Sequence, residues 1–346
     1  MPKAFDLLAA AAAFARQNRI TINDPNLVNL FVQDAAPRLE EALGDAPLIY
    51  GSRTENLFEA MVISLGQYKL FKTEDVGRVH SRTPCRAPDF RIVLEDDEQW
   101  LVEVKNVRCE DPGNQQASMS PDYVASLEAY ADAVGTPLRI AIYWSRWNIW
   151  TLTSPASFKT PRGGLKIRML DAIMASQLAR LGDVSIATKP PLRLVLGADI
   201  DKPRSLDADN LAAFTISSAS LFSADVELTD PKDRQLAEIL FMYGEWPVEG
   251  PFPLLGEDGL TGVQFVARPE EPSDQGFDGV GWASRIFSRF FAESTVDGDQ
   301  VIQLNSTPMP DWFAPLATWD FAGSRLPLWL FHIEPSRGPS GCSDSH

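Results

Sequence analysis

Between Pro88 and Asn106 the chain reads PDFRIVLEDDEQWLVEVKN, two short apolar runs joined by an acidic turn, with Asp89, Glu103 and Lys105 set into the runs themselves. Strand side chains alternate between faces, so Trp100, Val102 and Val104 share one face of the second run and Leu101, Glu103 and Lys105 the other. Asp89 opens the first run. Directly opposed residues of an antiparallel hairpin share a face, so Asp89 meets Glu103 or Lys105 only across a turn of odd length or a bulge. A three-residue loop at 96–98 sets Asp89 opposite Lys105; a five-residue loop at 94–98 sets it opposite Glu103. In either register two carboxylates and an ammonium converge on one patch of sheet.

Metal-assisted hydrolysis of a phosphodiester uses such a trio. Two carboxylates offer hard oxygen ligands to Mg²⁺, with Mn²⁺ as a substitute, and the ion keeps several of its waters. A bound ion activates water and offsets charge on the phosphate. A lysine beside it can orient or deprotonate that water, or balance charge in the transition state. Unpaired, the two carboxylates would repel each other; a cation resolves the conflict. The bland reading of the same residues is a solvated strand face carrying a Glu and a Lys behind a strand-initial Asp.

The surrounding pattern supplies elements to position them. Residues 3–18 and about 26–43 read as helices, the second capped by Asn23 or Asp24 ahead of Pro25. From Ser52, SRTENLFEAMVISLG is helical, with Leu57, Phe58, Met61, Val62 and Leu65 in one stripe and Gly66 as its stop. QYKLFKTEDVG gives a strand, the PDFRIV and QWLVEVKN runs two more, and SPDYVASLEAYADAVG a helix between the Ser120 cap and Gly135. LRIAIYW and WNIWTLT follow as strands, TSPASFKTPRGG as a loop and 167–182 as a helix. The expected fold is α/β (α+β), a mixed sheet flanked by helices with a second α+β domain.

This arrangement resembles the PD-(D/E)XK, or restriction-endonuclease-like, nuclease superfamily. Pro88-Asp89 matches the PD, Glu103-Val104-Lys105 the (D/E)XK, and the resemblance covers about Ser52 to Thr153. It implies a Mg²⁺-dependent endonuclease acting on DNA, in restriction, defence or DNA processing, with Asp89 and Glu103 on the metal and Lys105 at the nucleophilic water. The family adds an acid on the helix before the sheet. Glu55 lies at the matching offset from Gly66 and is the preferred third metal residue; Glu59, one turn later, is the alternative. Many members of the family carry a Gln or further Lys soon after the motif, on the following helix; here Gln115 and Gln116 fall in a predicted loop, which leaves their role open. A catalytically silent nuclease fold used for binding or regulation, an RNase, and a nuclease activated by a partner are the other readings.

A Pro-containing joint near 188–193 suggests division into an N-terminal helical segment (1–50), a nuclease-like domain (51–188), an accessory α+β domain (189–335) and a disordered tail (336–346). The chain has 346 residues and a formal net charge of −16. Residues 224–346 hold 7 Lys/Arg against 20 Asp/Glu, leaving 24 and 27 for residues 1–223. The acidity therefore does not exclude a polyanionic substrate on the first part, where Pro137–Leu170 carries Arg139, Arg146, Lys159, Arg162, Lys166 and Arg168 and no acid. The accessory part could join two copies or recruit a protein partner. No apolar run approaches the roughly 20 residues of a membrane span. The Ala-rich start, interrupted by Asp6, reads as an amphipathic helix rather than a signal peptide.

Cys85, Cys109 and Cys342 are scattered without metal spacing, consistent with a reducing cytoplasm. His80, His332 and His346 are too few for a histidine cage or a Ser/His/Asp triad. His80 reads as a surface residue, and Trp144, Trp147 and Trp150 around Arg146 as packing rather than a base-stacking platform. PRGGLK (161–166) lacks the strand–loop–helix setting of a phosphate loop.

Overall fold

The protein is described by a computed structural model over residues 4–74, 79–207, 211–306, 312–313, 316 and 323–335. The expected tail at 336–346 lies outside the described residues. The chain forms two compact units, residues 1–53 and 54–346. In the first, α1 (Ala4–Gln17) and α2 (Leu27–Gly44) meet through an edge-on contact of Phe14 and Phe31, 5.7 Å between ring centres. α2 begins later than its expected cap: Asp24 instead accepts the Asn26 N–H at 2.8 Å in a local turn, and Asn26 precedes the helix. α3 (Ala46–Leu65) also differs from expectation, starting six residues before Ser52. Asp45 accepts the Leu48 N–H at 3.3 Å, and Pro47 sits in the first turn, so Asp-Ala-Pro is the real start signal.

The second unit is built on a five-stranded mixed sheet in the order β1 (Leu70–Thr73), β2 (Phe90–Val93), β3 (Gln99–Val107), β5 (Leu138–Trp144), β6 (Ile149–Thr153). β3 and β5 run parallel; the other neighbours are antiparallel. The apolar stripe of α3 covers one face, packing on Phe90, Ile92, Trp100, Val102 and Val104. α4 (Pro121–Val134) covers the other, with Val124, Leu127 and Ala131 against Leu101, Ile140 and Ile142. Its ends are those the sequence indicates. Ser120 accepts the Tyr123 N–H, Pro121 opens the helix, and Gly135 closes it in the left-handed conformation at φ 65°.

Two departures sit beside α4. Gln116 is not in a loop: Gln116–Met119 form β4, paired antiparallel with β7 (Leu165–Arg168). The helix expected over 167–182 is instead the end of β7, the short α5 (Met169–Met174) and a 3₁₀ turn at Leu178–Leu181. Leu165 and Ile167 are buried while Lys166 and Arg168 are exposed, a period-two pattern that four residues display too briefly to be recognised without their partner strand.

Beyond this lie β8 (Ser185–Thr188), central in a three-stranded sheet, and β9 (Leu192–Ala198), central in a five-stranded antiparallel one. Helices α6 (Pro231–Tyr243) and α7 (Ala283–Thr295) complete a mixed α+β architecture. The cluster that buries α3 and the main sheet continues through Leu236 and Leu240 of α6 and Phe287 and Phe291 of α7. No helix among the described residues is long and apolar enough to cross a membrane.

Candidate active site

The β2–β3 ladder pairs Phe90 with Val102 and Val93 with Gln99, leaving a five-residue loop at 94–98. The Leu94 N–H closes it on the Glu98 carbonyl at 2.9 Å, and Asp97 takes the left-handed position at φ 69°. This is the longer of the two odd loops that the sequence allows, and continuing the ladder one step sets Asp89 opposite Glu103. The acidic turn itself is tied down. Arg180 bonds Asp96 at 2.7 Å and Glu98 at 3.1 Å, and Lys69 bonds Asp97 at 2.7 Å. The buried Trp100 donates its indole N–H to Glu98 at 2.7 Å and lies under the guanidinium of Arg139.

β3 outruns β2, so beyond Val102 no β2 residue lies beside it. Asp89 fills the vacated place: its Oδ2 accepts the Val104 N–H at 2.6 Å. Glu103 is 1% exposed. Its Oε1 accepts from Lys105 Nζ at 2.6 Å and from the Tyr123 hydroxyl, while Lys105 Nζ also reaches that hydroxyl at 2.8 Å. Its other oxygen, Oε2, is buried with no hydrogen-bond partner among the described residues. The structure thus brings Asp89, Glu103 and Lys105 together on the α4 side of the sheet, and adds Tyr123. Sequence reasoning missed this tyrosine. The available signal was its place one turn inside a well-capped helix that must cover the Glu103 face.

Burial pushes the Asp89 carboxyl up, and the charges of Glu103 and then Glu55 push it further, against the pull of the Val104 N–H and Lys105. Glu55 is therefore within electrostatic reach of Asp89. Glu59 is half-buried and raised by burial alone. For Lys105, burial works to lower the pKa, but the charge and hydrogen bond of Glu103 outweigh it and hold the ammonium protonated above its ordinary value. Burial and then the bond to Glu103 raise the Tyr123 phenol.

A second polar knot holds the entry to β2. The Glu74 N–H donates to the Asp89 carbonyl at 2.8 Å. The Glu74 carboxylate accepts from Arg91 at 2.8 Å, Lys72 at 3.0 Å and Tyr130 of α4 at 2.8 Å. Burial alone would raise this carboxyl, yet those three partners hold it down at about 2.

Among the described residues no three His, Cys, Asp or Glu side chains form a ready metal cage. A hard divalent ion that retains its waters needs only one or two carboxylates. The unpaired Glu103 Oε2 beside Asp89 offers an all-oxygen donor pair that fits Mg²⁺ or Mn²⁺ and lacks the nitrogen and sulfur ligands zinc favours. The remaining candidates stay outside this chemistry. His80 is exposed, Cys85 and Cys109 are free thiols, and Trp144 and Trp150 are buried. Trp150 stacks on Tyr143 at 4.9 Å. Gln115 closes the 109–115 loop, donating to the carbonyls of Cys109 and Asp111 at 2.8 and 2.6 Å.

No family model matches the chain, and no curated protein matches it. Among solved structures it is similar to Hjc, a Holliday junction resolvase from the hyperthermophile Archaeoglobus fulgidus. The identity is 21% and the TM-score 0.30, over 38% of this chain and 99% of that one. A likeness at that score carries no weight for function, which is read from the site alone.

Proposed function

We propose that this chain is a divalent-metal-dependent nuclease of the PD-(D/E)XK kind, hydrolysing phosphodiester bonds in DNA. The observation that carries the reading is Glu103, a carboxylate buried beside a second carboxylate and a lysine, with one oxygen left without a hydrogen bond among the described residues. A structural ion pair has no use for an unsatisfied buried oxygen, which costs about 1–3 kcal/mol or more when charged. In this reading Asp89, Glu103 and Glu55 hold the ion. The bound ion supplies Lewis acidity and a water of lowered pKa. Lys105, kept as a cation by Glu103, orients that water and offsets phosphate charge instead of removing a proton. Tyr123 fixes the relative position of Glu103 and Lys105.

The test is incubation of the purified protein with supercoiled, linear and single-stranded DNA and with RNA, in Mg²⁺, Mn²⁺ or EDTA. The expected result is DNA cleavage with either metal and none in EDTA. Lys105→Ala should lose about 100- to 1000-fold in rate, at the scale of a lost charge-stabilising group, with an unchanged circular dichroism spectrum. Cleavage by Lys105→Ala at the wild-type rate sinks the assignment. Cleavage of RNA alone moves it to an RNase, and binding without cleavage in any metal moves it to a silent nuclease fold.

A further inference from the structure

The acid-free stretch Pro137–Leu170 does not deliver its charges evenly. Arg139 is spent on Trp100, 4.8 Å below it, and on Glu98. Lys159 is held by Glu128 of α4 at 2.8 Å. Arg146, in the β5–β6 turn, and Arg162, Lys166 and Arg168, on and before β7, remain exposed. Lys166 and Arg168 alternate outward along β7, opposite Ser118 and Gln116 of β4, while Ala117, Met119, Leu165 and Ile167 face the core under α4. One side of the ribbon is therefore sealed into the protein and the other presents Gln116, Ser118, Lys166 and Arg168. Arg168 meets Asp171 only at 3.8 Å, both side chains well exposed. Such a contact is weak and easily exchanged. Asp122 is exposed in the first turn of α4, three residues beyond the end of β4.

This face is continuous with the candidate active site. β4 ends at Met119, Ser120 caps α4, and Tyr123 in its first turn bonds Glu103 and Lys105. The Arg162 turn is pressed onto the same place: a Cβ at Gly164 would come 2.6 Å from the Met119 carbonyl and 3.3 Å from Pro121. Arg86, also exposed, stands 5.0 Å over the Tyr123 ring. From the site outward the order is Tyr123, Arg162, Lys166, Arg168, with the last two about 7 Å apart by strand geometry.

We infer that the outer face of the β4–β7 ribbon, with Arg162 at its tip, is the track along which the phosphate backbone of duplex DNA runs to the Asp89–Glu103–Lys105 site. This rests on the nuclease reading of that site. Lys, Arg, Ser and Gln are the side chains that bond phosphate oxygens. The face carries no aromatic on which unpaired bases would stack, which favours a duplex backbone over a single strand.

The experiment measures binding of a labelled duplex to the full chain in EDTA, across a series of salt concentrations. Wild type is compared with the triple variant Arg162→Ala/Lys166→Ala/Arg168→Ala and with a control of equal charge change, Lys189→Ala/Lys202→Ala/Lys232→Ala. Single-stranded DNA and duplex RNA are run beside it. The ribbon variant should bind duplex DNA at least about tenfold more weakly near 0.1 M salt. Its plot of log affinity against log salt should be shallower by about 2 to 3, at about 0.9 per lost phosphate contact. The control should match wild type. An unchanged affinity and slope in the ribbon variant overturns the inference even if wild type cleaves DNA. A ribbon-dependent slope in a protein that never cleaves supports it while the nuclease reading falls. Equal losses in both variants, or ribbon dependence seen only with single strands or RNA, also overturn it.

Discussion

Tyr123 shows how a single hydroxyl can hold two charged neighbours in place. It bonds a carboxylate oxygen and an ammonium at once, while its ring is flanked by Lys105 at 4.8 Å and Arg86 at 5.0 Å. Tyr123→Phe keeps the ring and these cation contacts and removes only the hydroxyl. The expected outcome is a fall in kcat of about tenfold to a hundredfold with little change in KM, since the variant loses positioning and not substrate contact. Stability should fall by about 1.5–3 kcal/mol, the scale of a hydrogen bond to a charged group, read by urea denaturation. Unchanged kcat would remove Tyr123 from the site's working parts. The residues that sequence made legible were those within one hairpin, where period-two alternation and loop parity constrain Asp89, Glu103 and Lys105. Tyr123 meets them across 20 and 18 positions, through the packing of a helix on a sheet, and local pattern carries no record of such a meeting.

At the scale of elements, the helices flanking the sheet were legible because long apolar stripes and caps are strong signals; β4 and β7 were not, because each is four residues long and defined by its partner. Glu74 is a similar case. It directly follows β1, yet it joins three elements, bonding Arg91 of β2 and Tyr130 of α4 while its N–H holds the Asp89 carbonyl. Its folded carboxyl is depressed to about 2 from an ordinary 4.5. A depressed carboxyl binds fewer protons when folded, so its contribution is present above pH 4.5 and is lost as pH falls toward 2. Glu74→Gln removes the charge from both states. The stability advantage of wild type over Glu74→Gln, from urea denaturation at pH 6, 4 and 3, should therefore shrink steadily as the solution is acidified. A constant difference would mean that the knot works by shape alone.

Over the whole molecule, the acidic balance of residues 224–346 is a net charge, and a net charge does not reveal whose core a helix completes. α7 lies in that acidic stretch and packs on β6: the Trp150 indole donates to Ser288 at 3.2 Å, and Asn148 donates to the Arg285 carbonyl at 3.2 Å. Its first turn is capped from 101 positions away. Asp183 accepts the Ser284 N–H at 2.8 Å and the Ser284 hydroxyl at 2.9 Å, serving donors that the helix leaves unpaired. Full burial pushes the Asp183 carboxyl up to about 6 from 3.8, only partly opposed by the bonds from Ser284 and Val184. The sign is opposite to that of Glu74. A raised carboxyl holds its proton more tightly in the folded state, so its contribution is greatest below pH 3.8 and is lost as pH rises through 6. Across that window the loss is about 3 kcal/mol, at 1.36 kcal/mol per unit. Asp183→Asn keeps an acceptor for the Ser284 N–H and cannot ionise. Thermal melts should show Asp183→Asn gaining on wild type between pH 4 and pH 7, and level beyond. Asp183→Ala, which leaves both Ser284 donors without an acceptor, should be destabilised at every pH. If Asp183→Asn and wild type keep a fixed difference from pH 4 to 7, Asp183 carries its charge in the folded protein, and its hold on α7 is that of an ordinary ionised cap.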